Sequence, residues 1–454
     1  LPNMSGLAPK ILKEILKKGK VYEVGGTVRD FFIFGKESEE KDYLVSQIPM
    51  DELILLLANF GRVEFVGKSF GVIKFTPKRH KTTYDIALPR QEFSTGVGHK
   101  DFQVTFDHNL KIEEDLARRD FTINAMAKDL STGEIIDPFE GRKDSERKII
   151  RMISPQAFLE DPLRMLRGVG FAARFEFEME EKTFQAMKEN AHLIKTVSPE
   201  RIQDELNKLL LRAKKPSTGF KLMQKSGILK EILPELENCV GVDQPGPYHK
   251  YDVFEHTLYT VDNAPQDLII RLSALFHDIC KPQTKVVTEE GATFYGHEKF
   301  GSELVEKVLG RLRYSNEIIS AVTLLVSKHM FTTGVTDKGL RRLITRTEGR
   351  IFDLLELRKA DIIAQGRGDA GVAEIVEFEK KVRDEIARKP PFSVKDLKVN
   401  GNDLMKKFKL TPGPLIGKIL NHLLEKVLDE PKSNDKKKLL KEAEDFLKQE
   451  KVKT

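Results

Sequence analysis

The apolar pattern of this chain changes period once, near residue 154, and that change limits the architectures open to it. Before it, short segments at 21–24, 62–66, 71–76 and 83–88 combine β-branched and aromatic residues with Gly and Pro breaks. Such segments predict a small sheet with antiparallel members. Helical spacing of Ile11, Leu12, Ile15 and Leu16, and again of Leu53, Leu56 and Leu57, predicts helices over 10–18 and 50–59. A turn is expected at Gly25-Gly26 and a polar, Gly-bearing loop over 91–101. After residue 154 strand signals disappear. Segments 156–173, 180–189, 198–212 and 217–226 read as helices, a second helical block covers 253–388, and Lys-rich helices close the chain. Pro234, Gln244-Pro245-Gly246-Pro247 and Lys389-Pro390-Pro391 mark the breaks. The fold class is therefore α+β, an α/β head followed by all-α parts.

The chain has 454 residues, too many for one ordinary core. No apolar run approaches the roughly 18–20 residues needed to span a bilayer, so no membrane partner is expected. The start, Leu1-Pro2-Asn3-Met4, lacks the pattern of a signal peptide. Two cysteines, Cys239 and Cys280, with no CxxC exclude a disulfide framework and point to a reduced, cytoplasmic setting. The net charge of +6 suits a polyanionic partner.

Three short constellations carry chemistry. The first is Gly25-Gly26-Thr27-Val28-Arg29-Asp30, followed by Glu40-Lys41-Asp42. Two carboxylates one residue apart on a strand point to one face, because the side-chain period is two. Magnesium takes oxygen ligands, commonly one or two carboxylates plus phosphates. Two such ions can clamp the attacking and leaving oxygens of a phosphoryl transfer, and glycines let backbone amides approach a triphosphate. Asp85, on the strand 84–88, offers a third carboxylate, although a strand-end surface Asp would look the same. The second constellation is Arg118-Arg119-Asp120-Phe121-Thr122-Ile123-Asn124-Ala125, where guanidinia suit phosphate and a carboxylate can accept from a ribose hydroxyl. The third is Glu160-Asp161-Pro162-Leu163-Arg164. Asp161 and Arg164, three apart at a helix start, are expected to share a face. Together they accept from an exocyclic amine and donate to a ring nitrogen and carbonyl, which fits cytosine and adenine and opposes uracil and guanine. A solvated salt bridge would explain that pair taken alone.

In this order the motifs resemble those of class II tRNA nucleotidyltransferases and bacterial poly(A) polymerases, whose polymerase-β-like head carries GGxVRD, a DxD pair and RRDxxxNA. Glu40 stands where that family usually has Asp. The resemblance runs over about residues 21–450. It implies Glu40, Asp42 and Asp85 as catalytic residues, with Mg²⁺ on Glu40 and Asp42. It implies nucleotide binding by Gly25, Gly26, Arg29, Asp30, Arg119, Asp120, Asn124, Asp161, Arg164 and Arg167. Asp137-Pro138-Phe139-Glu140-Gly141-Arg142-Lys143-Asp144 and Ser198-Pro199-Glu200-Arg201-Ile202 also match, and structural roles suffice for both. The parts expected are a nucleotidyltransferase head over 4–153, a helical neck over 154–232 that reads the base, an HD-type body over 233–389 and a tail over 390–454.

Within the body, the stretch 256–329 holds four of the chain's ten histidines in the order His256, His277-Asp278, His297, His329, with Asp361 after them. The order H…HD…D is similar to that of HD-type metal phosphohydrolases. Imidazole with carboxylate suits a divalent transition metal. His256, His277, Asp278 and Asp361 would make one centre, and His297 with His329 could support a second ion. In the tail, Lys406, Lys407, Lys409 and Lys418 surround glycine turns at 401, 413 and 417, and 13 lysines stand against 9 acidic residues over 401–454. They are the expected tRNA contacts. The expected activity is addition of C and A from CTP and ATP to the tRNA 3′ end. An A-only or poly(A) enzyme with the same site is the alternative. By the family's logic the long 91–117 segment disfavours a CC-only enzyme. An HD phosphohydrolase with an inert nucleotide-binding head is the alternative of another class.

Overall fold

The computed structural model describes residues 6–36, 41–66, 71–94, 102–244, 251–289, 291–366 and 368–452. The chain divides into two compact units, Leu1–Glu237 and Asn238–Thr454.

The first unit opens on a mixed sheet. Its strands are β1 (Lys20–Val24), β2 (Asp42–Ser46), β3 (Gly61–Val66), β4 (Val72–Pro77) and β5 (Tyr84–Ala87), with β8 (Ala127–Asp129) and β9 (Ile135–Ile136) beyond them. Strands β6 (Arg90–Ser94) and β7 (Phe102–Phe106) form a separate antiparallel hairpin. The sheet order is β3-β4-β5-β2-β1-β8-β9, and among the described residues β2 with β5 is its one parallel pair. Period two sorts the side chains. Val21, Tyr43, Val45, Ile73, Phe75 and Ile86 pack on one face against helices Pro9–Leu16 and Met50–Ala58, through Ile11, Ile15, Leu53 and Leu57. Tyr22, Val24 and Leu44 meet Ile112, Leu116 and Ala125 on the other.

Four expectations need correcting. The turn at Gly25-Gly26 starts a helix, Gly26–Phe34, which ends on Gly35 in the left-handed region (φ 66°). The arms of the 91–101 loop are strands, paired in register from Arg90 with Phe106 to Ser94 with Phe102. The helix expected over 156–173 is two, Ala157–Glu160 and Leu163–Phe175, because Asp161 precedes a proline and is held extended (φ −140°, ψ 98°). Strands also continue past residue 154. A short parallel pair joins β10 (Ile149–Ile150) to β11 (Glu178–Met179), and the second unit carries a hairpin of β12 (Val286–Thr288) and β13 (Gly291–Thr293).

Helices Glu181–Asn190, Pro199–Arg212 and Pro216–Ser226 complete most of the first unit. Among its described residues the second is helical apart from that hairpin. Several of its helix starts are capped by side chains that accept from orphan amides: Asp252 from Glu255, Asp267 from Ile270 and Asn400 from Asp403. Its last helices, Gly401–Phe408, Pro414–Asp429 and Lys436–Val452, share a cluster around Leu404, Ile419, Leu423, Val427, Leu439 and Ala443. Among the described residues no helix is long and apolar enough to cross a membrane.

Candidate functional site

The Gly25 turn, Asp42 and Arg119 converge. Gly25 has φ 66° and ψ −128°, a conformation that favours glycine. A Cβ there would lie 3.2 Å from Arg119 Nη1 and 3.8 Å from Asp42 Oδ2. A helix, Gly26–Phe34, starts here, and the first amides of a helix point out beyond its N-terminus, where a phosphate is stabilised. At the start of β2, Lys41 is buried with its ammonium 3.0 Å from Glu23 Oε1. Period two then turns Asp42 outward, and it is exposed. Asp42 pairs in register with Asp85 across the parallel β2–β5 ladder. Registered residues put their side chains on one face, so the two carboxylates stand side by side, and Asp85 is exposed as well. Lys74, which sequence reasoning passed over, pairs in register with Asp85 from β4. Glu40 lies outside the described residues.

Five of the residues implied by resemblance form one chain of hydrogen bonds. Arg29 Nε donates to Asp30 Oδ1 (2.7 Å) and Arg29 Nη1 to Asn124 Oδ1 (2.8 Å). Asn124 Nδ2 donates to Asp120 Oδ1 (2.8 Å), and Arg167 Nε to Asp120 Oδ2 (2.7 Å). The Arg29 guanidinium also lies over the rings of Phe171 and Phe175, 5.2 and 5.0 Å from their centroids. Burial opposes ionisation of Asp120, but Arg167 and Asn124 outweigh it and hold its carboxyl below the ordinary value. Arg29, Asn124 and Asp120 are thus buried and committed to one another, while Arg167 is 37% exposed at the end of the chain.

Asp115 is a residue that sequence reasoning missed. It is fully buried and accepts from Arg118 Nε (3.0 Å) and Nη2 (2.7 Å), from Arg119 Nη2 (3.2 Å) and from the Arg90 amide (3.4 Å). Burial raises its pKa, and the two guanidinia more than reverse that, so the net shift is downward. The spacing of Asp115, on the short helix Ile112–Ala117, to Arg118 and Arg119 just past its end was the available signal.

Asp161 and Arg164 do not share a helix face, because Asp161 precedes the helix. Asp161 accepts from the Leu163 amide (3.2 Å) and from Arg201 Nη2 (2.8 Å). Arg164 donates to Glu160 Oε2 (3.0 Å) and to the carbonyls of Arg118 (3.0 Å) and Ala157 (3.4 Å). Arg201, expected to be merely structural, is what holds the Asp161 carboxylate.

In the second unit all six sequence-predicted metal ligands meet in one buried cluster. His256 Nε2 lies 3.1 Å from Asp361 Oδ1, 3.3 Å from His277 Nε2 and 3.5 Å from Asp278 Oδ2. His277 Nε2 lies 3.1 Å from Asp278 Oδ2. His277 and Asp278 are not within a helix; they follow the end of helix Leu268–Phe276. His297 and His329 approach the other oxygen of Asp278, at 3.3 and 3.7 Å. Two cations are close by: Lys281 Nζ, 2.7 Å from Asp278 Oδ2, and Arg358 Nη1, 2.6 Å from Asp361 Oδ2. Burial works against the charged ring of His277, and Asp278 outweighs it, so that pKa is raised. Burial and the neighbouring His277 push His329 down to about 3. A cavity of about 560 Å³ opens onto the cluster, and Lys281, Tyr295, Glu298 and Arg358 help to line it. Lys406, Lys407, Lys409 and Lys418 are all exposed.

Three family models match parts of the chain. The family model "Poly A polymerase head domain" matches residues 21–151, "Probable RNA and SrmB-binding site of polymerase A" matches 176–240, and a tRNA nucleotidyltransferase domain 2 model matches 294–443. The multifunctional CCA protein of Herminiimonas arsenicoxydans is 38% identical over 76% of this chain and 77% of its own length. That of Nitrosomonas europaea is 36% identical over 76% of each. Among solved structures, the Bacillus stearothermophilus CCA-adding enzyme in complex with CTP superposes with a TM-score of 0.68 at 22% identity, covering 98% of this chain and 100% of that one. The Thermotoga maritima CCA-adding enzyme complexed with tRNA gives 0.56 at 22%, covering 97% and 96%. At that identity the likeness is one of fold.

Proposed function

The chain belongs to the family of class II CCA-adding enzymes and poly(A) polymerases, and from that premise we propose that it is a tRNA nucleotidyltransferase that adds CCA to the tRNA 3′ end from CTP and ATP. The observation that carries the reading is the pairing of Asp42 with Asp85 beside the Gly25 turn and Arg119. Two neighbouring carboxylates in front of a glycine turn and a guanidinium are an acceptor set for Mg²⁺ next to a donor set for triphosphate. Asp42 and Asp85, with Glu40, would hold Mg²⁺, which supplies activation of the primer 3′-hydroxyl and charge neutralisation on the leaving pyrophosphate.

The chain's own residues bind and orient. Arg119 faces the triphosphate, and Asp115 keeps its guanidinium in place. Arg167 and Asp120 end the buried chain on the ribose side, and Arg29 with Asn124 fixes their geometry. Asp161 accepts from the exocyclic amine of cytosine or adenine while Arg164 donates to the adjacent acceptors. Arg201 holds the Asp161 carboxylate, so base reading does not need the two side chains to share a helix face. The exposed lysines of the tail bind tRNA phosphates. The test is addition of each labelled NTP to tRNA ending at the discriminator, at C and at CC. Sequential incorporation of C, C and A supports the reading. Addition of A alone would favour the A-only alternative, and no addition at all would leave the head inert.

The His/Asp cluster favours a second activity in the same chain. We propose that His256, His277, Asp278 and Asp361 hold a divalent transition metal and that this centre hydrolyses phosphoesters. Lys281 and Arg358 are placed to bind the phosphate.

A further inference from the structure

One edge of the head sheet gathers more than the carboxylates. Strands β2 and β5 run parallel and both start at that edge, with Asp42 opposite Asp85. Strand β1 runs antiparallel to β2 and ends there, which brings the Gly25 turn to the same edge. The tip joining β4 to β5 lies there too, because the two strands are antiparallel and Phe75 pairs with Tyr84. The order along the edge is therefore Gly25 turn, Asp42, Asp85, hairpin tip. Residues 71–84 carry four cations, Lys74, Lys78, Arg79 and Lys81, and no carboxylate. Lys74 lies between the buried Ile73 and Phe75, as Asp85 lies between the buried Tyr84 and Ile86. Period two turns both away from the helices and onto the face of Asp42. Lys74, Arg79 and Lys81 are exposed, and among the described residues no ion pair holds them. The tip itself is fixed. The Thr76 and Thr83 hydroxyls are 2.8 Å apart, the Lys78 amide donates to the Phe60 carbonyl (2.8 Å) and the Lys78 ammonium to the Asn59 carbonyl (3.0 Å). Lys74 is one strand from Asp85 and two from Asp42, and paired strands stand about 4.8 Å apart. Charges interact over a Debye length of about 8 Å at physiological salt, so these cations oppose a metal ion on the carboxylates. An anion bound between the two offsets that repulsion.

We propose that the β4–β5 hairpin binds the RNA primer, with Lys74, Arg79 and Lys81 against the phosphodiesters just behind the 3′-hydroxyl. The proposal rests on the nucleotidyltransferase reading for the identity of that RNA. In that reading the triphosphate lies on the Gly25 and Arg119 side of Asp42. The attacking and leaving oxygens of a phosphoryl transfer stand roughly in line, on opposite sides of the phosphorus. With the pyrophosphate toward Gly25, the 3′-hydroxyl comes from the Asp85 side, and the strand that carries it continues toward the hairpin. Its phosphates neutralise the three cations, and the cations hold the 3′ end over the metal carboxylates. Phosphate contacts position a nucleic acid and carry no base information, so one hairpin serves primers ending at the discriminator, at C and at CC. Lys74 and Lys81 are flexible point charges, which suits a strand whose last base differs from one addition to the next. These contacts are separate from those of the tail lysines and lie within the head.

The test uses full-length protein carrying Lys74→Gln, Arg79→Gln and Lys81→Gln together. Lys78 stays in place because its ammonium holds the tip. The primer is a short RNA hairpin with a single-stranded 3′ end of CC. Binding is read by fluorescence anisotropy across a salt series, and ATP addition by steady-state kinetics. On single strands each phosphate contact contributes about 0.7 to the slope of log K against log salt. Loss of three contacts should flatten the slope by about 2, which is roughly ten- to fiftyfold weaker binding at ~0.15 M salt with 1 M as reference. The primer KM should rise by the same order, while the ATP KM and the melting temperature stay at the wild-type values. Lys74→Arg with Lys81→Arg keeps the charge and should behave as wild type. If the triple variant melts early, Lys81→Gln alone changes one exposed side chain and should still flatten the slope by about 0.7. An unchanged slope and primer KM overturn the proposal and leave the nucleotidyltransferase reading intact. A rise in the ATP KM in place of the primer KM also overturns it, because the cations then serve the triphosphate. No addition by the wild type removes the nucleotidyltransferase reading, and a flattened slope in the same proteins still supports the hairpin as an RNA-binding surface.

Discussion

Replacing Asp115 by Asn isolates the carboxylate that holds both arginines of the Arg118-Arg119-Asp120 motif. The side chain keeps its shape and one accepting oxygen. It loses its charge, and an amide NH₂ now faces a guanidinium. Asp115 is fully buried, while the Arg118 and Arg119 side chains are 21% and 18% exposed. A hydrogen bond to a charged group contributes about 1.5–3 kcal/mol. The arginines can regain some water, so the expected loss is about 2–3 kcal/mol in total rather than the ~3–5 kcal/mol of a fully buried broken pair. For a unit of this size each kcal/mol moves the melting temperature by about 2–4 °C, so the variant should melt roughly 4–12 °C lower. Arg119, released from the 3.2 Å contact, should bind triphosphate less well. About 1.4 kcal/mol of lost positioning is tenfold in kcat/KM, and the loss should sit in the nucleotide KM. The sign with pH follows from the depressed pKa. The wild-type advantage is complete above the unfolded carboxyl's pKa, near 4, and disappears as pH falls through the lower folded value. Differential scanning calorimetry across that range and steady-state kinetics with CTP and ATP measure both effects. A melting temperature and a nucleotide KM both unchanged in Asp115→Asn would refute the argument.

Other outcomes follow from the same geometry. Asp161→Ala should erode discrimination against UTP and GTP by roughly ten- to a hundredfold, since an unpaired buried polar group costs about 1–3 kcal/mol; kcat/KM for all four NTPs on one primer checks it, and unchanged ratios remove base reading from this residue. Arg201→Met should move the same ratios in the same direction by a smaller factor, because it frees Asp161 without deleting it. Changing Lys406, Lys407, Lys409 and Lys418 to Ala should weaken tRNA binding and flatten the slope of log K against log salt by up to about 3; an identical slope would place the phosphate contacts elsewhere. Deleting residues 400–454 is the poorer experiment, because Arg341 is buried and donates to the carbonyls of Leu428 and Asp429.

The motifs were legible where residue type alone carries the chemistry. Asp42, the arginine pair at 118 and 119 and the histidine order could be read directly. What pairs with what could not. Arg29 meets Asn124 across 95 residues, and no local period announces that contact. Asp85 could be placed on a strand, but only the β5–β2 ladder sets it beside Asp42. The helix Gly26–Phe34 was hidden because Phe31, Phe32, Ile33 and Phe34 give a continuous apolar run with no clear period. Pro162 did hold the information that Asp161 is extended, and the three-residue spacing outweighed it wrongly. The histidines could be counted, but the division of Asp278 between two pairs of rings is a fact of three dimensions.

The most direct test of the head is a single-turnover assay of ATP addition to tRNA ending in CC, comparing wild type with Asp42→Ala and Asp85→Ala. Metal stabilisation of several kcal/mol is at stake, and each ~1.4 kcal/mol is tenfold in rate. The account predicts that both variants lose more than nine-tenths of the rate while folding and tRNA affinity persist. Retention of more than about a tenth of the wild-type rate in Asp42→Ala would contradict it.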